Sequence, residues 1–419
     1  MLDASGTRQL CYAVYIDAIE PIIGSDNCEA AIVGGWKVMV RKNTFKAGDP
    51  AIYFEIDSKT PKTKQFEFLA KKHYKVKTQK YTFGGKNPGF YSQGLLMSAE
   101  DFGWTVDRID ELFITDDEMV RHIPGTESAF LTQKLGVTYA DPDDNRRKRS
   151  SSGDKYKKMA GRHPKLFRNP IIKWIYKKNW GKKLLFVFFG KQKCDDNRFP
   201  KHFEYIHPTD QERCENMPWV LEDKTPYIVT QKCDGSSGTY ILEKKHKMFK
   251  TEYEFYVCSR NVHLTSPDQN TYHDKNYYWE VAEKYNIRCK LKDYLEKHPD
   301  LDYVCWQGEI CAPSIQKNPH HLKETHFYCF HMIDSKIGKY DIRDAAKIWR
   351  EYDMETVPIV GECVLSDDFE EFKKTADGYY DASVCEGQSN CSREGFVYYK
   401  TTDPNFSFKN VSREYLAKH

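Results

Sequence analysis

The chain has 419 residues, with 64 Lys and Arg against 61 Asp and Glu, and its length is sufficient for two or three domains. The near-neutral charge excludes a uniformly basic, histone-like nucleic-acid binder, so any surface that binds nucleic acid must be local. The 13 cysteines include no Cys-x-x-Cys pair, which argues against a disulfide framework or a structural zinc site and predicts a reducing, intracellular compartment.

The first predicted elements, in residues 9–57, are short strands in which apolar and polar residues alternate. The alternation predicts an inward-facing set of side chains, namely Trp36, Val38, Val40, Ile52, Phe54 and Ile56. It predicts an outward-facing set on the same strands, namely Lys37, Met39, Arg41, Tyr53, Glu55 and Asp57. Short alternating strands separated by glycine turns are typical of a small barrel, and we expect an OB-like β-barrel that residues 92–97 close.

One edge of this predicted barrel is basic, because Lys37, Arg41, Lys42 and Lys46 lie close together in the sequence. The edge is either a solvated face or a surface that contacts RNA phosphates, and the sequence leaves both interpretations open. Lys37, Arg41 and Lys42 are therefore candidate RNA contacts.

Residues 141–160 are rich in charge, serine and glycine and predict a linker. The basic run at 146–149 is compatible with a nuclear-import signal, with an RNA-facing tether or with a plain solvated linker. Residues 171–176 then predict a basic amphipathic helix, followed by an apolar segment at 184–189. The apolar segments are too short to span a bilayer and residues 1–30 contain no signal segment, so we expect a cytoplasmic protein without a membrane partner, or a nuclear one.

A strand, a turn and a second strand follow in residues 227–242. Lys232 lies at the end of the first strand, next to a turn through Cys233, Asp234 and Gly235 whose backbone can approach a phosphate closely. This is where the Lys-x-Asp-Gly site of covalent nucleotidyltransferases places its nucleophile. An exposed lysine before an ordinary turn has the same sequence, so the motif is only suggestive by itself.

Several later strands are predicted to be apolar except for one charged residue at or near an end: Arg260 in 257–261, Glu309 in 304–310, Glu394 before 395–399 and Lys409 in 405–412. A charge in an apolar strand is expensive to bury unless it is paired. Together with Lys232, these residues therefore predict strand ends that converge on one polar centre. Helical stripes of apolar residues in 278–285 and 345–352 predict two core-facing helices.

Six motifs resemble, in content and order, those of the ATP-dependent RNA ligases of the covalent nucleotidyltransferase superfamily: Lys-Cys-Asp-Gly at 232–235, Ser-Arg at 259–260, Gln-Gly-Glu at 307–309, Phe-Tyr-Cys-Phe at 327–330, Arg-Glu-Gly at 393–395 and Phe-Lys at 408–409. With the N-terminal strands and residues 209–213, the chain resembles the Naegleria-type RNA ligases that have an N-terminal OB domain. The resemblance implies an α+β fold with three parts: an OB-like β-barrel at 1–140, a basic linker and helical segment at 141–193, and an adenylyltransferase domain of antiparallel sheets with flanking helices at 194–419.

The resemblance also implies the reaction. Lys232 would attack the α-phosphorus of ATP, with Mg²⁺ or Mn²⁺, and Lys409 would neutralise charge on that phosphate. A free lysine has a pKa of about 10.4, so we expect the cation and Lys409 to lower the pKa of Lys232. The adenylate would then pass to the 5′-phosphate of an RNA, and a 3′-OH would displace AMP. A nicked RNA duplex is the implied partner, RNA repair the implied role, and the implied state is a monomer.

Roles for single residues follow from the same resemblance. Asp234 and Glu394 would hold the cation, Glu309 would bind the ribose hydroxyls, and Arg260 would contact ribose or an RNA phosphate. The remaining implied ATP contacts are Gln231, where relatives often have Glu, and an adenine-stacking ring from Phe330 or Phe327. The last motif of the family usually has two lysines, whereas this chain offers Lys409 alone.

Three alternatives remain at this stage. A DNA ligase or mRNA-capping guanylyltransferase shares the chemistry, but those enzymes place their OB domain after the catalytic domain. A non-catalytic RNA-binding module that kept the fold would not need the intact charged residues Lys232, Asp234, Glu309, Glu394 and Lys409. A tRNA-synthetase-like OB adaptor would explain only the N-terminal part. Glu309 and Glu394 could also form structural ion pairs, and His320, His321 and His326 are interpreted as ordinary surface or core histidines.

Overall fold

The structure is a computed structural model that describes residues 1, 8–83, 89–112, 121–122, 129–139, 169–189, 198–247, 250–269, 271, 273, 275–386 and 390–418. The predicted linker at 141–160, with its basic run at 146–149, lies outside the described residues. Every cysteine in the described part of the chain is free. None of the helices described there has the length and apolar character needed to cross a membrane.

The N-terminal part is built from short strands, as predicted: β1 Cys11–Tyr15, β2 Ala18–Pro21, β3 Cys28–Val33, β4 Trp36–Arg41, β5 Pro50–Phe54, β6 Ser58–Lys59, β7 Gln79–Tyr81, β8 Phe90–Ser92, β9 Leu95–Met97, β10 Arg121–His122, β11 Ala129–Phe130 and β12 Thr138–Tyr139. It also has the helix α1, Val106–Leu112, and 3₁₀ segments at Lys64–Lys72 and Glu100–Phe102. The main sheet has the order β10-β11-β1-β5-β9, and β2-β3-β4 form a second sheet. The strand predicted at 92–97 divides into β8 and β9, and β9 pairs with β5.

The predicted alternation holds for β4 and fails in part for β5. In β4, Trp36, Val38 and Val40 are buried while the residues between them are partly or fully exposed. Tyr53 and Glu55, which were predicted to face outward, are both 0% exposed. The reason is that β5 is an inner strand whose two faces both pack on apolar clusters, so alternation does not separate core from solvent.

Two helices precede the C-terminal part: α2 Pro170–Lys177 and α3 Asn179–Phe189. The amphipathic helix predicted at 171–176 is α2. The apolar segment at 184–189 is the second half of α3.

The C-terminal part contains two five-stranded sheets. Their strands are β13 Glu212–Arg213, β14 Tyr227–Lys232, β15 Ser236–Lys247, β16 Lys250–Ser259, β17 Tyr303–Cys311, β18 His326–Asp334, β19 Gly338–Lys339, β20 Ile359–Cys363, β21 Gly395–Lys400 and β22 Asp403–Val411. The first sheet has the order β13-β22-β21-β14-β20 and the second β16-β15-β17-β18-β19. All pairings are antiparallel except that of the two-residue β13 with β22.

Helices flank these sheets: α4 Tyr277–Lys284, α5 Ile287–Lys297, α6 Ile342–Glu351, α7 Phe369–Lys374 and α8 Arg413–Lys418, with 3₁₀ turns at Cys214–Asn216, Pro218–Leu221 and Ala382–Val384. The two predicted apolar stripes lie on α4 and α6 and pack into one core with Trp306, which confirms that they are core-facing. This core also receives Ile228, Val397 and Tyr399 from the first sheet. The opposite face of the first sheet packs on a separate cluster around Tyr227 and Phe408.

Residues 213–216, here called the junction segment, join the two parts through buried polar contacts. Arg213 pairs with Asp57 at 3.1 Å, and the indole nitrogen of Trp36 donates to Asn216 Oδ1 at 2.6 Å. Gly35 packs so closely that a Cβ there would lie 2.7 Å from the Cα of Glu215. The N-terminal barrel is therefore docked on the C-terminal sheets by specific contacts.

Candidate active site

Lys232 lies where the chain passes from the first C-terminal sheet to the second. β14 ends at Lys232 and β15 begins at Ser236, so residues 233–235 connect the two sheets. Gly235 is needed in this turn, because a Cβ there would come within 2.4 Å of the carbonyl oxygen of Ile310. Because Lys232 is the last residue of β14, its amine lies where the chain leaves the first sheet for the second.

Three carboxylates surround this amine. Lys232 Nζ donates to Glu394 Oε2 at 2.8 Å, and Gly395, the residue after Glu394, is the cross-strand partner of Lys232. Asp234 follows in the turn, and Glu309 comes from β17, where it pairs with Ser237 and accepts a hydrogen bond from the backbone N–H of Gly235. The prediction that separate strand ends bring charged residues to one centre agrees with this arrangement.

The electrostatics of this cluster differ from the expectation for Lys232. Burial lowers the pKa of its ammonium, but the carboxylates of Glu394 and Glu309, with Asp234, outweigh burial and raise the pKa above its usual value. Burial and repulsion from Glu394 raise the pKa of Asp234 to about 7, and burial raises that of Glu309 to about 8. The three carboxylates thus keep the Lys232 amine charged, and they lie close enough together to repel one another. Crowded, buried oxygen ligands fit a hard divalent cation, which would relieve their repulsion.

Two residues that the sequence did not identify hold Asp234. The Nε2 atom of His320 accepts a hydrogen bond from the backbone N–H of Asp234 at 3.2 Å, and the Tyr415 hydroxyl donates to Asp234 Oδ2. Burial lowers the pKa of His320 to about 4, so its ring is the neutral acceptor that this contact requires. The interpretation of His320 as an ordinary histidine missed this role, because the contact spans 86 positions of the chain.

His326 contacts carboxylates away from this cluster. His326 Nδ1 lies 3.0 Å from Glu355 Oε2, and His326 Nε2 lies 3.3 Å from Glu386 Oε1. Hydrogen bonding to Glu355 raises the pKa of His326. His326, at the start of β18, therefore belongs to an ion-pair network with two carboxylates from outside that strand.

Lys409 faces the same space from β22, which is separated from β14 by β21. Thr230, Val397 and Lys409 are successive cross-strand partners on β14, β21 and β22, so their side chains share one face of the sheet. The Lys409 amine is 3.0 Å from Asp210 Oδ1, and the Arg260 guanidinium also pairs with Asp210. Burial lowers the pKa of Lys409 to about 8, although Asp210 opposes this shift.

The two candidate stacking rings occupy different environments. Phe327 is 0% exposed and packs edge-to-face on Tyr240, with ring centroids 5.1 Å apart. Its ring also packs so closely on Gly308 that a Cβ at that position would collide with it. Phe327 is therefore a core residue and cannot stack on a base. Phe330 follows a register shift between β17 and β18 and is partly exposed, so it is the remaining candidate.

Gln231 and Lys37 also have structural partners. Gln231 is adjacent to Lys232 on β14 and points to the opposite face, where its Oε1 accepts from the backbone N–H of Asp381 at 2.9 Å. Lys37 pairs with Glu20 at 2.9 Å and with Glu370 of α7 at 3.4 Å. Gln231 therefore points away from the face that carries Lys232, and the Lys37 ammonium is paired with two carboxylates. Arg41 and Lys42 are exposed.

Comparison with known proteins finds a family match for the C-terminal part and another for the N-terminal part. Residues 225–412 match the RNA ligase family, and residues 11–97 match an OB-fold domain. No curated protein sequence matches the chain. Three solved structures illustrate the similarity. The Naegleria gruberi RNA ligase with PPi has a TM-score of 0.65 and 24% identity over 99% of each chain.

Two variants of the Naegleria gruberi ligase are equally similar. One, with ATP and Mn, has a TM-score of 0.65 and 24% identity over 100% of this chain and 99% of that one. Another, with AMP and Mn, has a TM-score of 0.65 and 25% identity over 98% and 99%. The fold is the mixed α+β arrangement that the sequence predicted. Residues 225–412 are thus similar to the RNA ligase family, and residues 11–97, which precede them, are similar to an OB-fold domain.

Proposed function

We propose that this chain is an ATP-dependent RNA ligase that joins an RNA 3′-OH to a 5′-phosphate. The observation that supports the proposal best is the contact of Lys232 Nζ with Glu394 Oε2 at 2.8 Å, beside Asp234 and Glu309, within a region similar to the RNA ligase family. A lysine at a strand end, surrounded by carboxylates and close to a second buried lysine, has the parts needed for covalent nucleotidyl transfer.

The reaction has three balanced steps. The neutral Lys232 amine attacks the α-phosphorus of ATP, and pyrophosphate leaves as the lysyl-AMP bond forms. The 5′-phosphate of the RNA then attacks the same phosphorus, which releases the lysine and forms RNA-adenylate. In the last step the RNA 3′-OH attacks the 5′-phosphorus of the RNA, and AMP leaves as the phosphodiester bond forms.

A divalent cation, Mg²⁺ or Mn²⁺, is part of this proposal. The Naegleria ligase was solved with manganese together with ATP or AMP, and the donor set here suits the same kind of ion. Asp234 and Glu394 would hold it, with Glu309 nearby. Bound there, the cation would offset the negative charge of the phosphates. It would also neutralise the carboxylates that stabilise the charged form of Lys232, and this favours the neutral amine.

The remaining contacts are proposed from the resemblance to RNA ligases. Lys409 would offset negative charge at the α-phosphate, Glu309 would accept from ribose hydroxyls, and Arg260 would bind ribose or an RNA phosphate. Phe330 would stack on adenine, because Phe327 lies in the core. The exposed Arg41 and Lys42 of the OB-fold domain would contact the backbone of a nicked RNA duplex. We place the enzyme inside the cell, as a monomer, in RNA repair.

The first step tests the proposal directly. With α-labelled ATP and Mg²⁺ the protein should become covalently labelled, and Lys232→Ala should reduce labelling at least about a thousandfold, because the nucleophile is removed. Lys400→Ala is the matched control, since this lysine on the neighbouring β21 pairs with Asp223 at 2.6 Å. Label from GTP instead of ATP would indicate capping chemistry. The absence of label from both nucleotides would favour a non-catalytic RNA-binding module.

A further inference from the structure

Asp210 is a buried carboxylate to which the proposed reaction gives no task, and three cations converge on it. Its Oδ1 accepts from Lys409 Nζ at 3.0 Å, and its Oδ2 accepts from Arg8 Nε at 3.2 Å and from the Arg260 guanidinium. The Asp210 side chain is only 13% exposed. Two of the three cations, Lys409 and Arg260, are residues that the reaction does use.

Contacts made by the residues on either side of Asp210 in the sequence fix its position. The following strand β13 pairs in parallel with β22, so that Arg213 lies next to Lys409. The preceding residue, Thr209, shares a hydrogen bond with the hydroxyl of Ser237 on β15, just after the turn that carries Asp234. Asp210 is thus held between the strand of Lys409 and the start of β15, which follows the turn after the nucleophile.

Asp210 also connects the active site to the OB-fold domain. Arg8 bridges Asp210 and Glu55, with 2.7 Å between Arg8 Nη1 and Glu55 Oε1. Glu55 is 0% exposed and lies just beyond β5. The position of the Lys409 amine is therefore coupled through two carboxylates and one guanidinium to the core of the OB-fold domain.

We propose that Asp210 is a positioning residue for nucleotidyl transfer: its carboxylate aims the Lys409 ammonium at the site and supplies the countercharge that keeps this buried amine protonated. This inference rests on the proposed function in assigning a catalytic task to Lys409. Asp210 itself contacts neither ATP nor RNA in the proposed mechanism, and acts through its partners.

Lys409 needs a countercharge because it is buried and other cations lie close to it. Asp210 is the neighbour that stabilises the ammonium, while burial, Arg8, Arg213 and Lys232 all disfavour it. The Lys409 amine is charged below its pKa and neutral above it. Removing Asp210 lowers that pKa further, so the alkaline limit of any step that needs the ammonium must move to lower pH.

The test compares Asp210→Asn with the parent protein in the lysyl-AMP step between pH 6 and 9. A shift of one pKa unit gives about a tenfold change in the charged fraction above the pKa. We expect the variant to lose about tenfold at pH 8.5 and about threefold or less at pH 6. The control is Asp223→Asn, which removes a carboxylate bonded to Lys400 and Tyr227 outside the candidate site and should not change the pH profile.

A second measurement separates this inference from the proposed function. In the full chain with ¹³Cε-labelled lysine, the Lys409 signal is the one that Lys409→Arg removes, and its titration requires no enzymatic activity. Asp210→Asn should move that titration to lower pH. An unmoved titration, or an equal loss of labelling at every pH, would overturn the inference. A parent protein that takes no label from ATP would instead contradict the proposed function.

Discussion

At the scale of single residues, the sequence identified the groups that lie close to the nucleophile in the chain or carry a charge in an apolar strand. Lys232, Asp234, Glu309 and Glu394 were all found in this way, and the structure brings them together. The residues that hold them in place were missed. Tyr415 reaches Asp234 across 181 positions, and no local pattern marks such a contact.

The hydroxyl of Tyr415 should matter for the cation more than for the fold. In Tyr415→Phe, Asp234 loses a hydrogen-bond donor and becomes less well oriented as a ligand, and removal of such supporting partners typically weakens metal affinity by about tenfold or more. We expect the Mg²⁺ concentration for half-maximal lysyl-AMP formation to rise by about tenfold, with little loss at saturating Mg²⁺.

Tyr227→Phe is the control for this effect. The Tyr227 hydroxyl also donates to an aspartate, Asp223, at 3.2 Å, but on the other face of the sheet. Both variants remove one hydroxyl from a buried tyrosine, so a general loss of stability should be similar in the two. An equal Mg²⁺ requirement in both variants would contradict the orienting role of Tyr415.

At the scale of strands and turns, alternation predicted the positions of strands well but their exposure less well. β4 borders solvent on one face and obeys the pattern, whereas β5 is covered on both faces. The buried Glu55 shows why the sequence could not settle this, because two of the cations that pair with it, Arg8 and Arg213, belong to other segments.

Gly395, the residue after Glu394, allows β21 to pair closely with β22. Its φ is 150°, and a Cβ would lie 2.1 Å from the carbonyl oxygen of Asn410 on β22. In Gly395→Ala the strands must separate, which displaces Glu394 from Lys232. We expect lysyl-AMP formation to fall at least about tenfold, and the free energy of unfolding to fall by about 3 kcal/mol or more, measured by urea denaturation.

Gly361→Ala provides a matched comparison on β20 of the same sheet. Gly361 has nearly the same φ, 152°, but a Cβ there would meet nothing within 4 Å. The backbone strain of an alanine is thus similar at both positions, about 1–3 kcal/mol, and only Gly395 adds a collision. If both variants lose the same stability and activity, close packing at Gly395 is not what positions Glu394.

At the scale of the whole molecule, sequence motifs predicted two domains but not how they are joined. The junction segment carries Glu215, which is 0% exposed and pairs with Lys373 of α7 at 2.8 Å. Gln93 of the OB-fold domain donates to the same carboxylate at 3.3 Å. Lys373 and Glu215 are far apart in the sequence and no local pattern links them, so only the folded chain reveals this buried pair.

Breaking this pair should destabilise the whole protein. In Lys373→Met the Glu215 carboxylate remains buried without its ammonium partner, and loss of one member of a buried pair typically lowers the free energy of unfolding by about 3–5 kcal/mol. Urea denaturation at pH 7 measures the change. The neighbouring Lys374 is exposed, and Lys374→Met should change stability by about 0.5 kcal/mol or less.

The pH dependence of this loss distinguishes an unpaired charge from a packing defect. Although burial raises the pKa of Glu215, Lys373 and Arg213 lower it to about 2 from 4.5. Ionised Glu215 therefore stabilises the parent above pH 4.5, and this contribution disappears as the pH falls towards 2. In Lys373→Met the carboxyl can take up a proton at a higher pH, so the stability gap between the two proteins should narrow between pH 7 and pH 4. A gap that stays constant over this range would mean that the lost methylene packing, rather than the stranded carboxylate, accounts for the effect.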